Sequence, residues 1–529
     1  MPSLDLSNLN VILSVLGLFI VVYGFLSVKI KQRWYLGEAL PAVLIGIALG
    51  QVGSRWIDPT DWGEGGAELQ HDVTLGLCRV VIGVQLVIVG FQLPARYQLQ
   101  RWRPMALLLL AAMTIMWLCT TGCIMLALPG SHTFLAALVI ASCVTCTDPI
   151  LSQAIAKGPF ADKYVRRPLR EIISSEAGAN DGFGFPFLML ATYLIRHAQD
   201  PDFFDGVSSD AGHTADETVH NPLRIRAVHE IGRLGGGVGV ALQAWLVETW
   251  IYFILLAIVY GAVCGFVSMY ATRFALRRRW IDGESYLLWP AGLGLFIVGT
   301  SGLIGVDDLL ACFVAGNFMN WNNEYLAETE LRHDEVNPCV DVLLNFGGFM
   351  YIGAVLPWHQ WNDPDGTGLT YPTLIGLGFL VLIFRRIPAI LALYRFMPEV
   401  CQDWKEALFM GYFGPIGIGA VFYVEHTRHL FPLPDDALTP EENHLARRMI
   451  PVVYWLVFFS IVVHGLSIPG LNIILKWRGV PPICDDSGGV ELNLLSAHAS
   501  LPKNSRRRKS LDDRRSSVIV QHNRFSRSG

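Results

Sequence analysis

The sequence predicts an all-α polytopic membrane protein of about thirteen transmembrane helices, with inverted repeats and two broken helices that cross. Its composition is the first indication, because 52% of the 529 residues are hydrophobic and 16% are charged, whereas soluble domains carry about 25% charged residues. The second is a series of apolar runs long enough to cross a hydrocarbon core about 30 Å thick. The third is a set of acidic residues inside those runs.

The predicted spans are runs of about 20 mostly apolar residues. In chain order they are 10–28, 39–53, 73–93, 105–128, 132–156, 171–195, 243–271, 286–304, 306–320, 339–356, 372–395, 406–424 and 449–470. Only Ser301–Gly305 divides the eighth span from the ninth. The first run has neither a basic segment before it nor a cleavage site after it, so we interpret it as a span and not as a signal peptide.

The basic residues of the short loops predict the orientation. Lys and Arg number 3, 3, 5 and 4, which makes 15, in the loops 29–38, 93–104, 157–171 and 271–286. A single one, Arg55, occurs in the alternate loops 53–72, 129–133 and 357–371. Because cytoplasmic loops carry the excess of Lys and Arg, we expect a multi-pass protein with its N-terminus outside and its C-terminus in the cytoplasm.

Two polar regions complete the predicted domain organisation. The transmembrane domain covers 1–475 and contains an external loop over 197–242, and a disordered basic tail covers 476–529. The tail contains SRRRKSLDDRRSS, which is typical of a solvated disordered segment. Attraction to anionic cytoplasmic lipids and phosphorylation at Ser510 are the alternatives.

Several function classes lose support at this stage. A net charge of −5 gives no general reason to expect nucleic-acid binding. The 10 cysteines match no disulfide framework, and the Cys143–Cys146 pair has no second pair or histidine cluster, which favours helix packing over a metal site. The sequence indicates no cofactor and no enzymatic motif. An intramembrane aspartyl protease would require two catalytic aspartates in other contexts.

The sixth span contains the stretch SSEAGANDGFGFPFLML, with Glu176, Asn180 and Asp181. Acidic residues at membrane depth are costly and mark ion or substrate pathways by default. On one continuous helix Ala177 and Asp181 share a face and Glu176 lies about 100° away, so the two acids can have different roles. Hydrogen bonds between helices are the structural alternative.

Two other spans are interrupted by proline or glycine. The fifth contains Thr147-Asp148-Pro149 and the twelfth contains GPIGIGA over 414–420. Proline removes a backbone hydrogen bond, and freed backbone at membrane depth is tolerated where it lines a cavity or is buried in protein. Such broken helices coordinate ions in transporters. A simple kink, with Asp148 near the interface, is the alternative for the fifth span.

Further charged residues lie at the ninth and eleventh spans. Asp307 and Asp308 start the ninth, where a helix dipole favours carboxylates, so helix capping is the alternative to a transport role. Arg385 and Arg386 lie within the eleventh, in FRRIPAI. A buried arginine requires a carboxylate partner, and Glu176 is the candidate.

The motifs TCTDP, EAGAND, GVDDLLACFVAG and GPIGIGA, in this order, resemble those of the monovalent cation/proton antiporters, and most closely the fungal plasma-membrane Na+(K+)/H+ antiporters. The resemblance covers about residues 10–475. It implies a homodimer of thirteen-span protomers in which a core domain slides against a dimerisation domain. It also implies a plasma-membrane location and a role in salt tolerance and in pH and ion homeostasis.

The resemblance also implies roles for individual residues. Asp181 and Asn180 match the family's cation- and proton-binding pair, and Thr147 and Asp148 match the broken-helix threonine and aspartate. The supporting acid and base match Glu176 and Arg386, with Arg386 preferred to Arg385. Asp307 and Asp308 match an acidic pair needed for transport. Ala177 stands where many relatives have serine, so one ligand is expected from water or from Ser175.

From these observations we expect secondary active exchange of Na+ for H+, with Li+ and K+ as further substrates. A proton and a dehydrated Na+ would compete for one desolvated carboxylate, with Na+ held at Asp181 and Asp148. A cation channel that uses the same acids is the alternative. Uncoupled Na+ current without proton flux would favour the channel.

Overall fold

The computed structural model describes residues 8–28, 30, 34–57, 66–128, 133–156, 159–197, 235–432 and 440–481. Within these ranges the regular structure is helical, and β pairing is limited to one isolated bridge between Asp363 and Leu369. The prediction of an all-α fold is confirmed. Most of the basic tail, including Ser510, and most of the predicted external loop lie outside the described residues.

The main helices follow the predicted spans. In chain order they are α1 Asn8–Val28, α2 Ala39–Leu49, α3 Gly66–Gln92, α4 Trp102–Ala127, α5 Phe134–Cys143, α6 Pro149–Ala156, α7 Pro159–Tyr164, α8 Arg167–Asn180, α9 Phe185–Arg196, α10 Gly237–Arg278, α11 Gly283–Ile304, α12 Asp308–Met319, α13 Glu324–Leu331, α14 Val336–Ala354, α15 Tyr371–Phe384, α16 Ile387–Leu393, α17 Trp404–Tyr412, α18 Ile418–Arg428 and α19 Pro440–Trp477. Helix α10 begins at Gly237, within the predicted external loop over 197–242.

Length and apolar composition support a multi-pass membrane protein. In the described part of the chain six helices are long and apolar enough to cross a membrane, namely Glu68–Gln92, Trp102–Ala127, Gly237–Arg278, Gly283–Ile304, Tyr371–Phe396 and Glu442–Trp477. Four shorter helices, over 12–27, 39–49, 134–143 and 308–319, are also apolar. The number of thirteen crossings and the inverted repeat stay predictions.

Local sequence signals fix several helix ends. The Asp282 side chain accepts a hydrogen bond from the Ser285 amide at 2.8 Å and so caps α11, and Thr133 caps α5 through the Ala136 amide at 3.3 Å. Helix α11 ends at Gly305, whose φ of 75° is left-handed, a conformation that glycine adopts without a Cβ penalty.

Four predicted spans are interrupted within their length, and the eleventh span breaks at Arg385 and Arg386, between α15 and α16. The fifth breaks over 144–148 and the twelfth over 413–417, as their Pro and Gly residues predict. The sixth breaks over 181–184, which contradicts the expectation of one continuous helix over 171–195. Gly182, Gly184 and Pro186 account for the break in the sixth span, because glycine is a poor helix former and proline is favoured in a first helical turn. Asp181 is therefore at a helix end.

The helices pack into two groups, which meet where α18 lies against α3 and where α9 packs on α10. In the first group α3 packs against α11, α12 and α14, while α2 packs on α14 and α10 packs on α12. The second group contains α4–α6, α8, α9 and α15–α19, and α18 of this group lies directly against α3. Close approach within the first group requires glycine, since a β-carbon on Gly316 would lie 2.3 Å from the Val87 carbonyl oxygen.

We expect Gly316→Ala to destabilise the protein by about 1–3 kcal/mol, the usual cost of overpacking, because its methyl group would force α12 away from α3. The measurement is the thermal unfolding midpoint of the purified protein in detergent. Gly122→Ala is the matched control, since nothing lies within 4 Å of a β-carbon at that helical glycine. Equal midpoints for the two variants would contradict the close packing.

Candidate functional site

The two broken helices meet at their interruptions. The backbone amide of Asp148 donates to the Pro415 carbonyl at 2.9 Å, and the Ile418 amide donates to Asp148 Oδ2 at 2.7 Å. A β-carbon on Gly417 would lie 1.7 Å from Asp148 Oδ2, so only glycine fits there. The sequence prediction of two broken helices that cross is confirmed.

Asp148 caps the second half of both broken helices. Its Oδ1 accepts from the amides of Ile150 at 2.6 Å and Leu151 at 3.1 Å, at the start of α6. Its Oδ2 accepts from Ile418 at the start of α18. The positive ends of two helix dipoles therefore favour a charged carboxylate here. A carboxylate offers about four acceptor positions, so about one is left for a cation.

Arg385 has the complementary position at the ends of the first halves. Its guanidinium donates to the carbonyl oxygens of Val144 and Gly414, one from each interruption, and to that of Cys146 at 3.2 Å. The positive charge compensates the carbonyl ends of α5 and α17. Sequence reasoning passed over Arg385 in favour of Arg386. The signal that was available is the 100° between adjacent helical residues, which requires separate partners for the two arginines.

Glu176 and Arg386 form the predicted buried ion pair. The two guanidinium nitrogens donate to the two carboxylate oxygens at 2.7 Å each, with Arg386 3% and Glu176 1% exposed. Arg386 also donates to the Met410 carbonyl at 3.0 Å. The pair joins α8 to the end of α15 and to α17, which carries the second interruption.

Asn180 fastens the end of α8 to the first interruption. Its amide nitrogen donates to Thr147 Oγ1 at 2.8 Å, and its amide oxygen accepts from the Thr147 backbone amide at 3.2 Å. The Cys146 thiol donates to the Asn180 carbonyl at 3.1 Å. The side chains of Asn180 and Thr147 thus bind each other, and this contact fixes the position of the next residue, Asp181.

Asp181 is the acid that these contacts leave without a partner. Its side chain is fully buried, and neither carboxylate oxygen has a hydrogen-bond partner among the described residues. Its backbone carbonyl accepts from the Tyr423 hydroxyl at 2.5 Å, and a β-carbon on Gly419 would lie 2.7 Å from its Oδ1. A buried carboxylate without a partner is strongly disfavoured, so a proton or a cation would be stabilised here.

Asp307 and Asp308 have different partners, as their adjacent positions predict. Asp307 Oδ1 accepts from the Leu310 amide at 3.0 Å and caps α12, while its buried Oδ2 has no partner within the described residues. Asp308 pairs with Arg79 of α3 at 2.7 Å. Since a β-carbon on Gly182 would lie 2.6 Å from the Leu310 nitrogen, the start of α12 packs onto the turn that follows Asp181.

The serine next to Glu176 does not join the site. Ser175 Oγ accepts from Gln98 at 2.7 Å and donates to the Met105 sulfur at 3.4 Å, so its hydroxyl is already engaged. The expectation that Ser175 replaces the missing hydroxyl is wrong. Ala177 is buried and has no polar side-chain atom.

Known families and relatives match this chain over most of its length. A family model described as "Sodium/hydrogen exchanger, transmembrane" matches residues 15–473. A Na+/H+ antiporter of Schizosaccharomyces pombe is 30% identical over 481 residues, which are 90% of this chain and 92% of that protein. A Na+/H+ antiporter of Saccharomyces cerevisiae is 32% identical over 476 residues, 88% of this chain. A probable Na+/H+ antiporter of S. pombe is 35% identical over 474 residues.

The chain spans about half the length of several curated relatives, 44% of the S. cerevisiae protein and 56% of the probable S. pombe antiporter. Among solved structures, the fold is similar to that of the sodium proton antiporter MjNhaP1 from Methanocaldococcus jannaschii at pH 8, with a TM-score of 0.59. The likeness covers 87% of this chain and all of that one at 13% identity, and it concerns the fold alone.

We expect Glu176→Gln to lower the free energy of unfolding by about 3–5 kcal/mol, because Arg386 would keep a buried charge without its carboxylate. Glu171→Gln on the same helix is the control, since Glu171 pairs with the more exposed Arg167 and such i,i+4 pairs contribute about 0.3–0.5 kcal/mol. Denaturant unfolding in detergent measures both. If the two variants lost equal stability, the buried pair would not hold the crossing together.

Proposed function

Because this chain belongs to the sodium/hydrogen exchanger family, we propose that it is a secondary active antiporter that exchanges Na+ for H+ across a membrane. The observation that carries the proposal is the buried Asp181, whose carboxylate oxygens have no hydrogen-bond partner among the described residues. It lies beside the crossing of two interrupted helices, the arrangement that transporters use to bind coupling ions at mid-membrane.

Competition at Asp181 provides the exchange. Burial makes an uncompensated carboxylate costly, and the negative charges of Asp148 and Asp307 also act on it. A proton removes the charge, and a Na+ ion balances it. Na+ would bind the carboxylate oxygens of Asp181 and the remaining acceptor position of Asp148, while Asn180 and Thr147 hold Asp181 in place. Because both ligands neutralise the same carboxylate, each displaces the other.

The coupling of Na+ movement to H+ movement follows from the free-energy cost of moving the site with neither ion bound. The crossing lies in the second group of helices, which contacts the first group at α3 and at α10, so a relative movement of the groups would expose Asp181 to one side or the other. Moving the site without a bound cation or proton would carry an unbalanced charge through the membrane interior, which is costly. Only the loaded forms therefore cross readily.

Finer aspects of the proposal rest on the motif resemblance and on the named relatives. We propose Li+ and K+ as further substrates, a homodimer, and a plasma-membrane location with the N-terminus outside, in the service of salt tolerance and pH homeostasis. The protein acts as a transporter and not as an enzyme. The channel alternative has no separate observation in its favour.

We expect Asp181→Asn to abolish Na+-driven proton movement, because an amide neither takes up a proton at neutral pH nor balances the charge of Na+. The measurement is the dissipation of a pH gradient in proteoliposomes on addition of Na+, followed with a pH-sensitive dye. Unchanged gel filtration and unfolding midpoint would show that the variant still folds.

Glu284→Gln is the matched control, since it removes an exposed carboxylate at the start of α11 and should leave exchange unchanged. Undiminished exchange by Asp181→Asn would disprove the site. Na+ current without proton flux in the unmodified protein would replace the antiporter by a channel.

A further inference from the structure

A second fully buried carboxylate lies outside the crossing. Glu425 is on α18, two turns beyond Ile418, and its side chain is 0% exposed. The Tyr454 hydroxyl of α19 donates to its Oε1 at 2.6 Å. The Nδ1 of His71, near the start of α3, lies 2.7 Å from its Oε2. The exchange mechanism proposed above does not use this cluster.

A second histidine–carboxylate contact also joins α3 to the α18 segment, but here the carboxylate is on α3 and the histidine follows α18. Asp72 of α3 lies 3.6 Å from the Nε2 of His429, the residue that follows α18. Both histidine–carboxylate contacts lie at the start of α3, whereas the arginine-rich loop 93–104 follows its other end. They therefore join the two helix groups on the side that the basic loops predict to be external.

The negative charge of the Glu425 carboxylate is balanced by its neighbour only when that neighbour carries an added proton. Within the described part of the chain, the cationic side chain within 4 Å of Glu425 is His71, which is a cation only when its imidazole is protonated. A buried carboxylate is costly without a charged partner, and a charge-assisted hydrogen bond is about twice as strong as a neutral one. Proton uptake by this pair therefore tightens the contact between α3 and α18.

Among the described residues, the other side chains that contact the pair supply no permanent positive charge. Tyr454 and Tyr351 contribute hydroxyl groups, and Tyr351 binds Thr74 of α3 at 2.8 Å. Cys78, one turn further along α3, is within electrostatic reach of both Glu425 and Asp148. Asp72 and His429 are more exposed than the pair. His71, 17% exposed at its side chain, is thus the group through which a solvent proton reaches Glu425.

We propose that His71 and Glu425 form a second proton-binding site, separate from Asp181, which when protonated holds the far end of α18 against α3. The near end of α18 belongs to the crossing, because Ile418 donates to Asp148 and Gly419 lies against Asp181. A tightened far end resists the relative movement of the two helix groups. This inference rests on the proposed antiport for its effect on transport, and protons on the His71 side then slow the exchange.

The test compares His71→Gln with the unmodified protein in proteoliposomes. Glutamine keeps an N–H donor for Glu425 but cannot become a cation. ²²Na+ exchange is measured with equal Na+ and equal pH on both sides, which removes the driving force, at about pH 5.5 and about pH 7.5. Near pH 5.5 the variant should exchange about fivefold faster than the unmodified protein, and near pH 7.5 at a similar rate. His359→Gln, an exposed histidine in the loop 357–371, should behave as the unmodified protein does.

Parallel pH profiles for His71→Gln and the unmodified protein, with both exchanging, would overturn the second site and leave the antiporter intact. Absence of exchange in the unmodified protein would instead remove the proposed function. In that case ¹⁵N-histidine NMR of the full chain still tests the site. The resonances lost in His71→Gln identify this imidazole, and Glu425→Gln should shift them because it removes the carboxylate that lies 2.7 Å from Nδ1. Resonances unchanged by Glu425→Gln would also overturn the proposal.

Discussion

The structure depends on one constraint, that interrupted helices inside a membrane leave backbone groups which water cannot satisfy. At the amide ends of the interruptions, the Asp148 carboxylate satisfies these groups by accepting hydrogen bonds from the starts of both α6 and α18. At the carbonyl ends, the Arg385 guanidinium donates hydrogen bonds to the carbonyl oxygens of Val144 and Gly414. An acid and a base of opposite charge thus make an irregular backbone tolerable at membrane depth, and the two interruptions are stable only together.

This constraint divides the buried acids by function. Asp148 is committed mainly to backbone amides, Glu176 to Arg386, and Asp308 to Arg79. Asp181 remains without a side-chain partner in the described chain because Asn180, its neighbour, takes up the contact with Thr147. The two described arginines of the crossing are engaged elsewhere, Arg385 with backbone carbonyl oxygens and Arg386 with Glu176, which leaves Asp181 available for the proposed ion exchange.

Much of this arrangement was predictable from the sequence, because charged residues are costly inside a membrane and those within apolar runs are therefore candidate site residues. Asp148 lies at the predicted crossing, and Glu176 and Arg386 pair as expected. The helix break after Asn180 was missed, because the sixth span was treated as one regular helix that continued through Gly182. The Arg385 contact with Val144 and the His71–Glu425 pair were also missed, because they join residues 241 and 354 positions apart and no motif pairs them.

The glycines at the end of the second interruption and in the first turn of α18 provide room and not flexibility. A β-carbon at Gly417 would occupy the position of Asp148 Oδ2, and one at Gly419 would lie 2.7 Å from Asp181 Oδ1. With side chains at these positions, α18 would have to withdraw from both acids, and the carboxylates would lose the helix end that favours their charge. The glycines therefore place one rigid helix against Asp148 and Asp181 at its start and against α3 at its end. A proton bound near Glu425 would act on the proposed exchange site through α18, because this helix carries Glu425 and lies against Asp181 at Gly419.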